Sequence, residues 1–311
     1  MMQPQFGVSL QSGTAPAAFA RLAESAGFDY VMCGEHLAFH VPTTNAFVSL
    51  SMVAGATESI GLVSAVTLLP LYPPALAAKL AISLDVASGG RFTLGVGVGG
   101  EYPPEFEAAG VPVRERGART DEALEIIHRL MTEDDVTFHG RFSSFSNLTL
   151  APRPLQSPRV PFWIAGRREA AQRRAARFGD AWMPYLCTPE QVAGGLARIQ
   201  EITRERGGPG WTGRTVLYAF TTVDADGDRA RRVAAERVGR TYQQDFSRLA
   251  AKYLVAGTPA ECTSRLREYQ EAGVDVVLFR LACTRQDAER MLRVIAEEIV
   301  PELRGSGLRS G

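Results

Sequence analysis

The run "GRFTLGVGVGGEYPPEF", residues 90–106, decides the fold, because it sets glycine at 95, 97, 99 and 100 along an otherwise apolar stretch. Such glycines could cradle the diphosphate of a dinucleotide. That motif needs them in the turn after a strand, with a helix opening at once on the phosphates. Here Gly95 and Gly97 fall within the strand. Gly100 is followed by Glu101, Tyr102, Pro103 and Pro104, where no immediate helix start is expected. Residues 117–131 read as helix, so no acid is placed to hold a ribose. The dinucleotide reading fails. The period of a strand instead puts Gly95, Gly97 and Gly99 on one face and Leu94, Val96 and Val98 on the other. A face without side chains lets something come close, either a neighbouring element or a flat ligand.

Outward from this run, short apolar segments alternate with longer helical ones. Strands are expected at 6–10, 29–33, 60–69, 91–99, 161–165, 180–186, 214–223 and 274–281. Helices are expected at 15–27, 46–59, 73–88, 117–131, 168–179, 188–207, 227–250, 257–273 and 284–303. Thr258, Pro259 and Glu261 form a capping box at one helix start. Residues 134–160 interrupt the rhythm as a short hairpin and a proline-rich run. Eight strand–helix units without a compositional boundary predict one α/β domain over residues 1–311, a closed (β/α)8 TIM barrel with an insertion at about 134–160. An open doubly wound sheet is the rival. The tail 304–311, "RGSGLRSG", is expected to be disordered.

Composition narrows the partners. Acidic and basic residues number 34 each, which argues against a nucleic-acid binder. Cys33, Cys187, Cys262 and Cys283 are widely spaced without a CxxC, so they read as reduced near-core residues of a cytoplasmic protein. With four histidines and no HxH pair, no metal site is expected. The N-terminal "MMQPQFGVSLQSG" carries no leader pattern, and no apolar 18-mer predicts a membrane span.

Several segments together and in order resemble the luciferase-like monooxygenase superfamily, in particular its coenzyme F420-dependent oxidoreductases. They are "AESAGFDYVMCGEHL" (23–37), "LLPLYPPALAAKLAISLDVASGGRFTLGVGVGG" (68–100), "RGARTDEALEIIHRLM" (116–131), "GRFSSFSNLTLAPRPLQSPRVPFWIAG" (140–166), "AARFGDAW" and "YQEAGVDVVLF". The resemblance implies a TIM barrel with an insertion before the later strands, a homodimer, and a deazaflavin or flavin ring at the C-terminal mouth of the barrel. It also implies a cis peptide at Ala65-Val66, forming a bulge behind the ring. The cofactor-binding set it implies is Ser9, His36, Ala65, Val66, Gly97, Gly99, Gly100, Ala165, Gly166 and Arg167.

Arg167 and Arg168 are expected in the first turn of the helix after the fifth strand, where free N–H groups favour a phosphate. His36, beside Glu35 just beyond the second strand, is the leading catalytic candidate, since imidazole can donate a hydrogen bond or move a proton near neutrality. Glu101 is the second candidate. The sugar-phosphate dehydrogenases of the family carry a glutamate where this chain most nearly has Gly100. The expected activity is hydride transfer between F420 and a small organic substrate. The alternatives are an FMN-dependent monooxygenase and a non-catalytic flavin- or deazaflavin-binding barrel; a metal-dependent barrel hydrolase is disfavoured by the histidine pattern.

Overall fold

The computed structural model describes residues 3–11 and 15–305. Eight parallel strands form the barrel: β1 Gln5–Ser9, β2 Tyr30–Cys33, β3 Gly61–Ser64, β4 Phe92–Gly97, β5 Phe162–Ala165, β6 Ala181–Met183, β7 Arg214–Val223 and β8 Val276–Leu281. Each pairs with the next, and β1 pairs with β8 in the register Gln5↔Val276, which closes the ring. Closure leaves these strands without a free edge. A short strand at Val255–Gly257 lies outside β7, and an antiparallel ribbon of Val136–His139 with Ser144–Leu148 makes the insertion.

The helices are α1 Pro16–Ser25, α2 Ala46–Ala54, α3 Pro74–Ala87, α4 Pro103–Ala108, α5 Arg116–Thr132, α6 Glu169–Phe178, α7 Pro189–Glu205, α8 Gly227–Tyr242, α9 Ala250–Tyr253, α10 Pro259–Glu271, α11 Ala288–Val294 and α12 Val300–Gly305. Alternation along each strand sorts the core into two shells. Phe6, Val8, Leu62, Leu94, Phe162 and Phe279 pack with helix residues such as Leu50, Ala78, Ile127 and Leu292. Met32, Val63, Trp163, Met183, Val216 and Leu278 fill the interior of the barrel. Burial of each such side chain contributes about 1.5–3 kcal/mol. The expected capping box is present, with Thr258 Oγ1 accepting from Glu261 N–H and Glu261 accepting from Thr258 N–H. A second one, Thr188 with Gln191, opens α7.

Several boundaries differ from the sequence reading. The third strand does not run unbroken over 60–69. It pairs with β4 at Val63↔Thr93 and again at Thr67↔Val96, so four steps on one strand span three on the other. One extra residue is therefore bulged out around the Ala65-Val66 bond, which is cis. The hydroxyl of Ser64 bridges this gap by accepting from Gly95 N–H and donating to the Gly95 carbonyl. A helix does begin soon after Gly100: α4 carries Pro103 at its first position, where a missing N–H costs nothing. It has only six residues, and of the glycines before it Gly95 and Gly97 lie in the strand while Gly99 and Gly100 follow it. The helical stretch expected over 227–250 stops at Gln243, which takes a left-handed conformation. Finally, Arg304 and Gly305 belong to α12, with Arg304 bonded to Gly27 O and Asp29; the rest of the expected tail lies outside the described residues.

Candidate functional site

At the C-terminal ends of the strands the barrel opens into a cavity enclosing about 220 Å³. Of the eleven positions singled out in the sequence, Ser9, His36, Ala65, Val66, Gly97, Gly99, Glu101, Ala165 and Gly166 line it. Gly100 and Arg167 do not.

One side of the cavity is poor in side chains, and the glycines explain why. A Cβ on Gly95 would overlap the Ser64 carbonyl, and one on Gly97 would overlap the Val66 side chain. What approaches these glycines is thus the bulge of the neighbouring strand, which they allow to sink into the wall. Gly34, at the end of β2, makes room for the Ala65 carbonyl in the same way. Gly99 lies outside the regular strand, with φ +59°, and turns the chain towards α4 instead of sharing the inner face. Across the wall, Gly166 donates its N–H to Met183 O and accepts from the Trp182 indole, which fixes the loop after β5.

Arg167 and Arg168 stand before α6 and not inside it; Arg168 is the N-cap and Glu169 occupies the first turn. The acidic residue already complements the helix dipole, so the dipole argument for a phosphate at this terminus loses its basis. Arg167 donates to Leu186 O at 2.9 Å and lies over the Tyr185 ring. Gly100 faces the Arg116 side chain.

The pair Glu35-His36 divides its roles. Glu35 is buried and turns back to accept from Ala46 N–H and the Asn45 amide, holding the start of α2. Its other oxygen has no partner among the described residues, and burial raises its pKa. His36 Nδ1 lies 3.1 Å from both oxygens of Glu105, a fully buried residue of α4 that also accepts from Leu37 N–H. A carboxylate only accepts, so Nδ1 carries the proton and Nε2 is left as the second polar atom of the ring. The imidazole also stacks on Phe39 at 3.9 Å. Glu101, on the exposed rim, accepts from the Tyr185 hydroxyl at 3.3 Å, and the pKa of Tyr185 is pushed up to about 12, first by burial and then by Glu101. The Ser9 hydroxyl is spent on structure: it accepts from Leu281 N–H and from Gln11, tying β1 to β8.

Sequence reading missed Arg280, Glu105, Phe39, Tyr185, Tyr218, Phe220 and Tyr242, although all but Glu105 line the cavity. Arg280 had a signal, as a lone charge inside the apolar strand "VVLFRL"; its guanidinium lies near Ser9 Oγ and Leu10 O, at 3.4 and 3.5 Å. Glu105 and the aromatics had none. A glutamate in "PPEFEA", behind two prolines, carries no mark of burial until α4 folds it against the loop after β2.

The profile of the luciferase-like monooxygenase family matches residues 3–276. The FMNH(2)-dependent dimethylsulfone monooxygenase of Pseudomonas putida is 30% identical over 227 residues, 71% of this chain and 61% of that protein. An F420-dependent glucose-6-phosphate dehydrogenase of Beutenbergia cavernae is 30% identical over 330 residues, covering 92% of each. The chain spans about three fifths, 61%, of the length of the first curated relatives it matches. Among solved structures, the monooxygenase RslO1 from Streptomyces bottropensis superposes with a TM-score of 0.84 at 25% identity, covering 96% of this chain and 99% of that one.

Proposed function

The chain belongs to the luciferase-like monooxygenase family, and from that premise we propose that its cavity binds coenzyme F420 and that the protein transfers a hydride between this cofactor and a small organic substrate. The observation that carries the reading is the cavity's asymmetry. One side is a wall of main chain and small residues (Ala65, Val66, Gly97, Ala165, Gly166), and a flat tricyclic ring fits such a surface. Other parts of the lining bring an imidazole, three tyrosines and an arginine. Bound there, F420 would supply a two-electron carrier that exchanges hydride.

The remaining work falls to the chain itself. His36, aligned by Glu105 and Phe39, presents Nε2 as the atom that orients a substrate hydroxyl or carbonyl and takes up or returns its proton. Glu101 is a second acid at the rim, held by Tyr185. Arg167, outside the lining, is proposed to reach the phosphate-bearing chain of the cofactor from the edge of the mouth. The FMNH(2)-dependent relative supports a second reading, in which the same cavity takes FMN and the protein is a monooxygenase.

A visible-absorption titration of the purified protein with F420 and then with FMN separates the two. F420 should bind, and turnover should consume no oxygen. Tight FMN binding with substrate-dependent oxygen uptake would overturn the F420 reading. Failure to bind either cofactor would overturn both.

A further inference from the structure

The lining includes an arc of aromatic rings that neither cofactor reading uses. Phe39, in the loop after β2, meets Tyr242 at the end of α8 edge to face, at 6.3 Å and 83°. Tyr242 meets Phe220 of β7 at 5.9 Å and 79°, and Phe220 meets Tyr218 at 5.4 Å and 71°. Three separate segments therefore converge on one continuous aromatic surface, and edge-to-face contacts hold each ring in a set orientation.

The polar atoms of this surface are nearly all neutral. The Tyr185 hydroxyl is engaged by Glu101, whereas those of Tyr218 and Tyr242 have no hydrogen-bond partner among the described residues. Burial raises the pKa of both, so both remain donors at any working pH. Charge in the lining is sparse. Glu35 is turned into its own loop, Glu101 accepts from the Tyr185 hydroxyl, and Arg280 lies against Ser9 Oγ and Leu10 O. A substrate phosphate would call for clustered cations with bidentate geometry, and Arg280 is the only Lys or Arg among the lining residues.

We propose that the substrate is an uncharged, flat, carbonyl-bearing compound of the aromatic-ketone class, seated against the Phe39–Tyr242–Phe220 arc with its oxygen held by the hydroxyls of Tyr218 and Tyr242. This rests on the reading of the cavity as a cofactor and substrate site. The two tyrosines are specificity residues in it, and a sugar phosphate is excluded.

Calorimetric titration tests it with 1-tetralone, a bicyclic aromatic ketone, and with glucose 6-phosphate. Each is added to the wild-type protein, Tyr218→Phe and Tyr242→Phe, with and without F420. The Phe variants keep the ring and remove one oxygen. The ketone should bind the wild type, and each variant should weaken it by about fivefold, the scale of one neutral hydrogen bond. Glucose 6-phosphate should give no binding. The proposal is overturned if the ketone does not bind, if both variants bind it as the wild type does, or if the sugar phosphate binds more tightly. Ketone binding that depends on the tyrosines in a protein that takes up no F420 would sustain this inference while removing the cofactor assignment. F420 binding without ketone binding would do the reverse.

Discussion

His36 and Glu105 lie 69 positions apart in sequence, and their contact is the one that gives the imidazole a defined direction. A histidine held at Nδ1 by a buried carboxylate acts on substrate through Nε2, so its loss should fall on the chemical step and not on the cofactor. His36→Ala should bind F420 within a few-fold of wild type yet slow single-turnover hydride transfer by roughly tenfold or more, as stopped-flow absorbance would show. Undiminished turnover would shift the burden to Glu101 or to the cofactor alone. The neighbouring Glu35 makes a different prediction. Its carboxyl has a pKa raised above the ordinary 4.5 by burial, so the folded state holds its proton after the unfolded state has lost it. The stability from this group is full below about pH 4.5 and is lost as pH rises towards the folded pKa. Glu35→Gln keeps an acceptor for Ala46 N–H and removes that loss. Its melting temperature should therefore fall less than that of the wild type between pH 5 and pH 8, and equal slopes in thermal melts would refute the assignment. The sequence showed that both residues stand at the rim. It did not show that one would turn inward, because the partners, Ala46 and Glu105, are brought there only by the packing of α2 and α4.

Strand β4 shows how far an element can be read. Alternation put Gly95, Gly97 and Gly99 on one face; Gly95 and Gly97 keep to it against the neighbouring strand, while Gly99 leaves the strand. Legibility ended at what fills the space: the bulge of the third strand depends on Ser64 completing the ladder through its side chain, and nothing in "LVSAVTLL" announces a serine in that role. The start of α6 was misplaced for a related reason. "GRREAA" has no Ser, Thr, Asp or Asn to mark an N-cap, so sequence alone sets the arginines in a turn that Glu169 occupies. The two inward glycines should now separate by substitution. A Cβ at position 95 meets the backbone carbonyl of Ser64, which cannot rotate away, so Gly95→Ala should destabilise the barrel itself by about 1–3 kcal/mol in denaturant unfolding. At position 97 the obstacle is the Val66 side chain, so Gly97→Val should press the bulge towards the cavity and weaken F420 binding while the circular dichroism spectrum stays near wild type. Unchanged F420 affinity would mean that the bulge does not border the cofactor.

For the whole molecule, closure of the barrel followed from eight apolar strands that leave no polar edge strand to terminate a sheet. The added strand at Val255–Gly257 could not be anticipated, since three residues carry no measurable period. The outer surface raises the remaining question. Helix α2 is apolar around its circumference, and a helix of that kind is ordinarily buried on all sides. Yet Val48 and Met52, one turn apart on α2, are 65% and 52% exposed, and Leu76 on the adjoining α3 is 49% exposed. α2 and α3 pack against each other, so these side chains belong to neighbouring helices on the outside of the barrel. Exposed apolar side chains on adjoining helices have the chemistry that a contact with a second copy needs. The homodimer implied by the family resemblance would bury them through a two-fold contact in which the same helices of two copies meet. The expected particle has twice the 33.7 kDa mass of the chain in light scattering after gel filtration. Met52→Glu, which sets a charge in the middle of that contact, should shift it to a single chain mass without unfolding the barrel, because the position faces away from the core. A wild-type protein that stays at one chain mass at micromolar concentration, or a Met52→Glu variant that remains dimeric, would place the dimer contact elsewhere or remove it.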